Sequence, residues 1–349
     1  MEQSDKIKYF VTSDIEDNAM SCLKLLEEDK QVEKVAVFSD IHYCSEKAVP
    51  VGVAFKTSNV FYPLITGKDM GCGVAYLRFP KSKLLKPFDK AKHYKAFERE
   101  VHSATDEGLG GGNHFLSLEE SNEYFYIIIH TGSRNLGIQM YQENYALIQD
   151  NNPGHNWLPI EFATKEYRDK YQFILDYAEQ RRNQFLQKIY LFLLKNKYLK
   201  DYLTYEEGDS CHNLLEFKMN EVIHRKGSTE LVYNPVVIPL SMSRGSLIVK
   251  PNIYHPSLED SLFSSSHGAG RKLSRTDTLI HWYQFKKAKK EEYKKQFPEF
   301  VDQWGNIDSS VLQEFDFAYK DSDSILSDQP HLIKVDETKP IATVKFTGV

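Results

Sequence analysis

The stretch Tyr124-Phe125-Tyr126-Ile127-Ile128-Ile129-His130-Thr131-Gly132-Ser133-Arg134 decides how this chain is read. Six aromatic and β-branched residues in a row leave no solvent face, so 124–129 is predicted to be a strand buried on both sides. It runs straight into His130, and Gly132 lets the chain turn immediately afterwards. An ionisable ring is thereby delivered to the end of a buried strand.

Working outward from that strand, 59–66 and 74–79 read as strands with the loop 67–73 between them. A short strand at 35–38 runs into Asp40-Ile41-His42, and 235–239 and 246–249 read as two more. Residues 13–16 read as a capping box, followed by Ile15, Ala19, Cys22, Leu23 and Leu26 at helical spacing. Residues 164–197 read as a long helix or helix pair, with Tyr171, Ile174, Ala178, Phe185, Ile189 and Phe192 on one face. The mixture gives an α+β fold: one domain over 1–349, with a β-rich core and helical insertions at about 160–200 and 276–330.

Composition narrows the function classes. The 349 residues are 41% hydrophobic and 27% charged, which excludes a disordered, collagen-like or coiled-coil chain. The net charge of -5 means that a nucleic-acid surface has to be local. The one dense basic run is Lys286, Lys287, Lys289, Lys290, Lys294 and Lys295, followed over 299–328 by eight acidic residues and one lysine. Such runs are usually solvated helix faces; the functional alternative is a phosphate-contacting surface. Four cysteines suit a reduced compartment. With no apolar signal core and no run long enough to span a bilayer, the expectation is a soluble, cytoplasmic, monomeric protein without a membrane partner.

Nine of the 18 glycines fall between Gly67 and Gly137, where the backbone must bend or approach something closely. Around them lie five polar motifs: Asp69-Met70-Gly71-Cys72-Gly73, Gly111-Gly112-Asn113-His114-Phe115, His130-Thr131-Gly132-Ser133-Arg134, Cys211-His212-Asn213 and His267-Gly268-Ala269-Gly270-Arg271. An aspartate and a cysteine three apart can converge on one ion, and a thiolate can bridge two. With His114, His130 and His212 they make a mixed O/S/N set that borderline divalent metals accept. Structural zinc is disfavoured because paired C-x-x-C spacing is absent. Small residues after His267 let backbone N–H groups approach phosphate, with Arg271 and Arg275 adding charge. Each motif alone reads equally well as a packed histidine or a glycine turn.

Together, and in this order, the five motifs resemble those of the RtcB family of RNA-splicing ligases, which join 3′-phosphate to 5′-hydroxyl ends. Leu136-Gly137, Ser241-Met242, Ser274-Arg275 and Asp40-Ile41-His42 add to the resemblance, which spans about 35–275 with an echo at 341–349. It implies two Mn2+ ions bridged by Cys72, one completed by Asp69 and His114, the other by His130 and His212. It implies that His267 attacks the α-phosphate of GTP, with Asp40 orienting the ring. Asn113, Asn213, Ser241, Met242, Gly268, Ala269 and Gly270 would bind nucleotide, and Arg134, Arg271 and Arg275 would hold phosphates and RNA termini. The substrate implied is RNA with a 2′,3′-cyclic phosphate or 3′-phosphate end and a 5′-hydroxyl end, in repair or tRNA splicing.

The chain departs from that pattern in three places. Ser117 stands where the family has a base-reading glutamate. Leu240 replaces a glycine in the Pro239-Leu240-Ser241-Met242 motif. The terminal lysine-glycine pair is represented by Lys345 and Gly348 three residues apart. The departures imply weakened discrimination of guanine. The alternatives are a metal-dependent RNA end-processing or nucleotidyl-transfer enzyme and a catalytically silent RNA-end binder.

Overall fold

The computed structural model describes residues 6–44, 49–200, 204–232, 234–302, 304–320 and 323–345. The strand expected at 124–129 extends over Tyr124–Thr131 and is buried at every residue but the first. It lies at the centre of an antiparallel sheet in the order Lys339–Lys345, Phe115–Glu120, Tyr124–Thr131, Gly73–Pro80, Glu206–Cys211. Its two faces serve two cores, as the unbroken apolar run requires. Phe125, Ile127 and Ile129 pack with Phe185 and Ile189 of a long helix. Tyr126 and Ile128 pack with Val237 and Ile248 of the sheet Val236–Ser241, Gly245–Pro251, Leu332–Glu337.

A second five-stranded sheet runs Ile7–Phe10, Val32–His42, Val51–Ser58, Glu221–Lys226, Asn213–Lys218, with only its first pair parallel. The strands Glu206–Cys211 and Asn213–Lys218 are edges of different sheets, and a single residue, His212, joins them. The chain therefore passes from one sheet to the other at a histidine.

The long segment after 164 is one helix, Lys165–Lys195, started by the Thr164 side chain accepting from the Tyr167 N–H at 3.2 Å. Tyr171 and Ile174 of its first half belong to the core under the second sheet, and Phe185, Leu186 and Ile189 of its second half to the core under the first. Residues 276–330 form the helices Arg275–Gln284, Lys287–Gln296, Ser309–Leu312 and Asp323–Asp328 with intervening turns. Trp282, Tyr293, Phe297 and Phe315 close them around Met242. No helix among the described residues is long and apolar enough to cross a membrane.

Two local expectations fail. Residues 59–66 are not a strand: only Val60–Phe61 pairs, with Leu158–Pro159, and a turn follows. Asn59 at φ 63° ends the preceding strand, and Pro63 lies in the turn. The turn's apolar residues are buried by packing while the Tyr62 N–H donates to His224 Nε2. The capping box is also absent. The first helix is Asp17–Glu28 with Glu16 at the N-cap, whose carboxylate accepts from the Tyr43 N–H instead.

Candidate functional site

Strand register and the loops just before Gly73 and Phe115 bring the candidate ligands together. Gly73 pairs with Thr131 on one side and with Cys211 on the other. Cys72, one residue before Gly73, therefore abuts both His130 and His212. Phe115 pairs with His130, so His114 enters at the same end of the sheet. Cys72 Sγ lies 3.4 Å from His114 Nε2 and 3.2 Å from His130 Nε2. His130 Nε2 lies 3.2 Å from His212 Nε2, and His114 Nε2 lies 3.1 Å from Asp69 Oδ2. Two groups share the cysteine: Asp69, Cys72 and His114, and Cys72, His130 and His212.

This donor set fits divalent metal. His130 Nδ1 lies 3.1 Å from the Asn113 carbonyl, so that nitrogen carries the proton and Nε2 keeps its lone pair. Burial and neighbouring histidines hold His130 and His212 well below the usual histidine range. Burial, followed by the Asp69 carboxylate, pushes the Cys72 thiol up. Burial also raises Asp69, but His114 and its hydrogen bonds outweigh it and keep the carboxyl ionised. Neutral imidazoles, a carboxylate and a thiol that needs a cation to ionise are the groups a metal would hold together. Glycine is required where these segments touch: a Cβ on Gly132 would sit 2.4 Å from Asp69 Oδ1.

His267 follows the strand Ser264–Ser266, and its ring lies 4.7 Å from that of His212. Its Nδ1 is 2.7 Å from the Gly227 carbonyl and 3.0 Å from Asp40 Oδ2. Asp40 Oδ1 lies 3.4 Å from His42 Nδ1. Burial raises Asp40, but the two histidines outweigh it and hold the carboxyl far below the usual range. Nδ1 of His267 is thus fixed as the protonated nitrogen, and Nε2 is left as the free base of the ring.

His267 lines an open cleft beside the cluster. Asn113, His130, Ser241, Met242, Gly268 and Gly270 line it together with His267 and Asp40. Asn213 sits behind the metal loop: its amide donates to the Asp69 carbonyl at 3.2 Å and accepts from the Gly227 N–H at 2.9 Å. Ala269 is buried, and its N–H donates to the Pro239 carbonyl at 3.2 Å. Arg134 is held at φ 54° before the helix Asn135–Asn151, and its Nε is buried without a hydrogen-bond partner among the described residues. Arg271 and Arg275 bond into the helical lobe behind the cleft wall, Arg271 lying over the Tyr319 ring and Arg275 Nη1 3.4 Å from Glu314 Oε1. Arg271 donates to the Gln313 carbonyl at 2.6 Å and to Thr278 Oγ1 at 2.9 Å; Arg275 donates to Gln313 Oε1 at 2.7 Å.

The far end of the cleft holds residues that the motifs do not mark. Glu119 lies two residues beyond Ser117 on the same strand face, fully buried. The Ser117 hydroxyl donates to Glu119 Oε1 at 2.6 Å, and the Thr338 hydroxyl donates to Oε2. Burial pushes Glu119 above the usual carboxylate range despite these bonds. Opposite, Lys345 Nζ pairs with Glu314 at 2.6 Å, and the Tyr319 hydroxyl donates to Glu314. The period-2 spacing of 117 and 119 is the signal for Glu119; nothing in the sequence links Glu314 to Lys345. Gly348, the other half of the terminal pair, lies outside the described residues.

The family model described as tRNA-splicing ligase RtcB matches residues 81–346. Among individual proteins, the chain is 26% identical to the RNA-splicing ligase RtcB2 of Escherichia coli strain ATCC 25922 across 70% of each chain. It is 26% identical to the RtcB1 ligase of the same strain across 86% of this chain and 87% of that one. It is 27% identical to the tRNA-splicing ligase RtcB of Methanococcus maripaludis across 68% of this chain and 59% of the other. The matched region takes in His114, His130, His212 and the loop that begins at His267, and the fold brings Asp69 and Cys72, which precede it, onto the same point: this chain belongs to the RtcB family.

Proposed function

We propose that the protein is a GTP- and Mn2+-dependent RNA ligase acting through a histidine–GMP adduct. The observation that carries this reading is His267: Nδ1 is pinned by Gly227 and Asp40, and the ring lines an open cleft 4.7 Å from the ring of His212 in the Cys72 cluster. Cys72 would be shared by two Mn2+ ions, with Asp69 and His114 on one and His130 and His212 on the other. Bound there, the metals supply charge neutralisation for the triphosphate and for the RNA phosphate.

His267 Nε2 would attack the α-phosphorus of GTP as the bond to pyrophosphate breaks, leaving GMP on the ring. Asp40 stabilises the charge that the ring acquires by holding Nδ1–H. A 2′,3′-cyclic phosphate end is opened by water to a 3′-phosphate. GMP then passes to that phosphate, and the 5′-hydroxyl oxygen of the second RNA displaces it. Arg134, whose Nε carries no partner among the described residues, is the arginine best placed to meet a phosphate.

Base selection is assigned to the Ser117–Glu119 pair. Because the serine proton is committed to Glu119, Ser117 faces the cleft as an acceptor. An acceptor suits the N1–H of guanine and repels the N1 lone pair of adenine. The guanine preference that the loss of glutamate at 117 weakens is thereby retained through the carboxylate behind the serine.

The test is label transfer from α-labelled GTP to the protein, followed by joining of a cyclic-phosphate RNA to a 5′-hydroxyl RNA. The wild type should do both, and His267→Ala neither. Labelling that persists in His267→Ala would falsify the nucleophile assignment. Labelling without joining would favour a nucleotidyl-transfer enzyme.

A further inference from the structure

The helix Lys165–Lys195 crosses from one hydrophobic core to the other, and at the crossing it buries two consecutive arginines. Arg181 and Arg182 are each 2% exposed. Arginine so deep in a protein is rare unless every donor has a partner, and here the partners are specific. Arg182 forms a two-pronged pair with Asp209, Nε and Nη2 each at 2.7 Å from a carboxylate oxygen. Its Nη1 donates to the Gly71 carbonyl at 2.7 Å and to the Thr131 carbonyl at 3.2 Å. Gly71 precedes Cys72, Thr131 follows His130, and Asp209 is on the strand that leads into His212. One guanidinium therefore ties together the three segments that carry Cys72, His130 and His212. Arg181 extends the tie. Its Nε donates to the Gly132 carbonyl at 3.2 Å, and its Nη2 to the Gly108 carbonyl at 2.8 Å, in the loop that leads to His114.

We infer that Arg182, assisted by Arg181, is the positioning residue that sets the spacing of the metal-ligating segments from outside the ligand shell. The reason is geometric. Three backbone segments from three strands must hold their side-chain donors at contact distance, although nothing covalent links them. A planar fork with five N–H donors can span a carboxylate and two carbonyls at once. A lysine carries the same charge but is a point donor on a flexible stem, and it cannot hold all three. Loss of the fork lets the segments separate by fractions of an ångström, which is enough to lower metal affinity by about tenfold to a hundredfold at outer-shell positions.

This inference rests on the metal reading above, and the test keeps the two apart. Full-length protein is titrated with Co2+, and the thiolate-to-cobalt absorption band and binding constant are read directly, without any ligation assay. Wild type should show the band. Arg182→Lys should bind at least tenfold more weakly, with a shifted or weakened band. Asp209→Asn, which removes the guanidinium's anchor and leaves its hydrogen bonds to the ligand segments, should weaken binding in the same direction and serves if Arg182→Lys does not fold. Arg225→Lys is the control. Arg225 is equally buried and bonded to Ser264, Glu216 and the Leu262 carbonyl, none of which adjoins a ligand residue; the nearest, Glu216, lies four residues past His212. It should leave Co2+ binding unchanged whatever it does to thermal stability. Wild-type affinity in folded Arg182→Lys or in Asp209→Asn overturns the inference, as does an equal loss in Arg225→Lys. A wild type that shows no band overturns the metal reading itself, and this inference with it.

Discussion

At the scale of single residues, Cys72 and Ser117 carry the most exposed claims. Cys72 Sγ is common to both ligand groups, so Cys72→Ala removes a donor from each at once. Elemental analysis after incubation with Mn2+ should show both ions lost together; a variant that retains one full equivalent refutes sharing. Ser117 tests base reading. Glu119→Leu, which has no acceptor, frees the serine proton to turn toward the cleft, so the preference for GTP over ATP in adduct formation should fall, by about tenfold if an interaction worth about 1.4 kcal/mol disappears. Ser117→Ala should move the ratio the same way, and an unchanged ratio in both places base reading elsewhere. Cys72, His114, His130, His212 and His267 are legible in the sequence because five polar motifs beside glycines or strand ends occur together and in order; singly, each has a bland reading. Glu119 is only half legible: its period-2 spacing puts it on the face of Ser117, but a glutamate alternating in a strand reads as solvent-facing. Ser117 pairs with Ile128 and Glu119 with Tyr126, and the sheet that packs Val237 and Ile248 on this face is what buries it. Arg271 and Arg275 are legible as charge beside a glycine loop, but the helical lobe they bond to has no motif.

At the scale of elements, the structure rests on histidines that serve packing as well as chemistry. His224 is on the strand Glu221–Lys226, stacked on Phe55 with ring centroids 4.4 Å apart. Its Nε2 accepts from the Tyr62 N–H at 2.9 Å, which secures the turn where the sequence predicts a strand. Burial lowers His224 to about 3, and burial likewise lowers His331 to about 4. The unfolded chain takes up these protons near pH 6.5 and the folded chain does not, so stability is complete above that pH and falls as pH drops toward 3. Between pH 6.5 and 5 each histidine should cost about 2 kcal/mol. Thermal unfolding at pH 7 and pH 5 measures the sum. His224→Gln, which can still accept from Tyr62 but does not titrate, should narrow the gap between the two melting temperatures; an undiminished gap assigns the acid sensitivity to other groups. Such a histidine illustrates why elements are only partly legible. The turn at 62–68 is dictated by a partner 162 residues away, and no local pattern records it. Strand 124–129 needs no such partner, since an unbroken apolar run reads as a buried element, and 74–79 is broken only by Arg78.

Across the whole molecule, an acidic chain has to meet a polyanion, and the lysine helix is where that conflict is resolved or is not. The helix Lys287–Gln296 is fixed by Tyr293, which is buried against Phe315 and donates to Asp316. Part of its charge is already spent: Lys289 pairs with Glu292 at 3.1 Å, Lys294 pairs with Glu291 at 3.0 Å, and Lys290 lies over the Trp282 ring. Lys286, Lys287 and Lys295 are exposed. The same lobe supplies Glu314 and Tyr319 to the cleft wall and surrounds Met242, so RNA that reaches His267 passes close to it. If those three lysines meet phosphates of single-stranded RNA, replacing them together with glutamate should reduce the slope of log affinity against log salt. The reduction should be about 0.7 for each phosphate no longer neutralised. Labelling by α-labelled GTP should be unchanged, because the nucleotide end of the cleft is built from other residues. A salt slope equal to that of wild type returns the helix to a solvated face, and the approach of RNA must then be sought around Arg134.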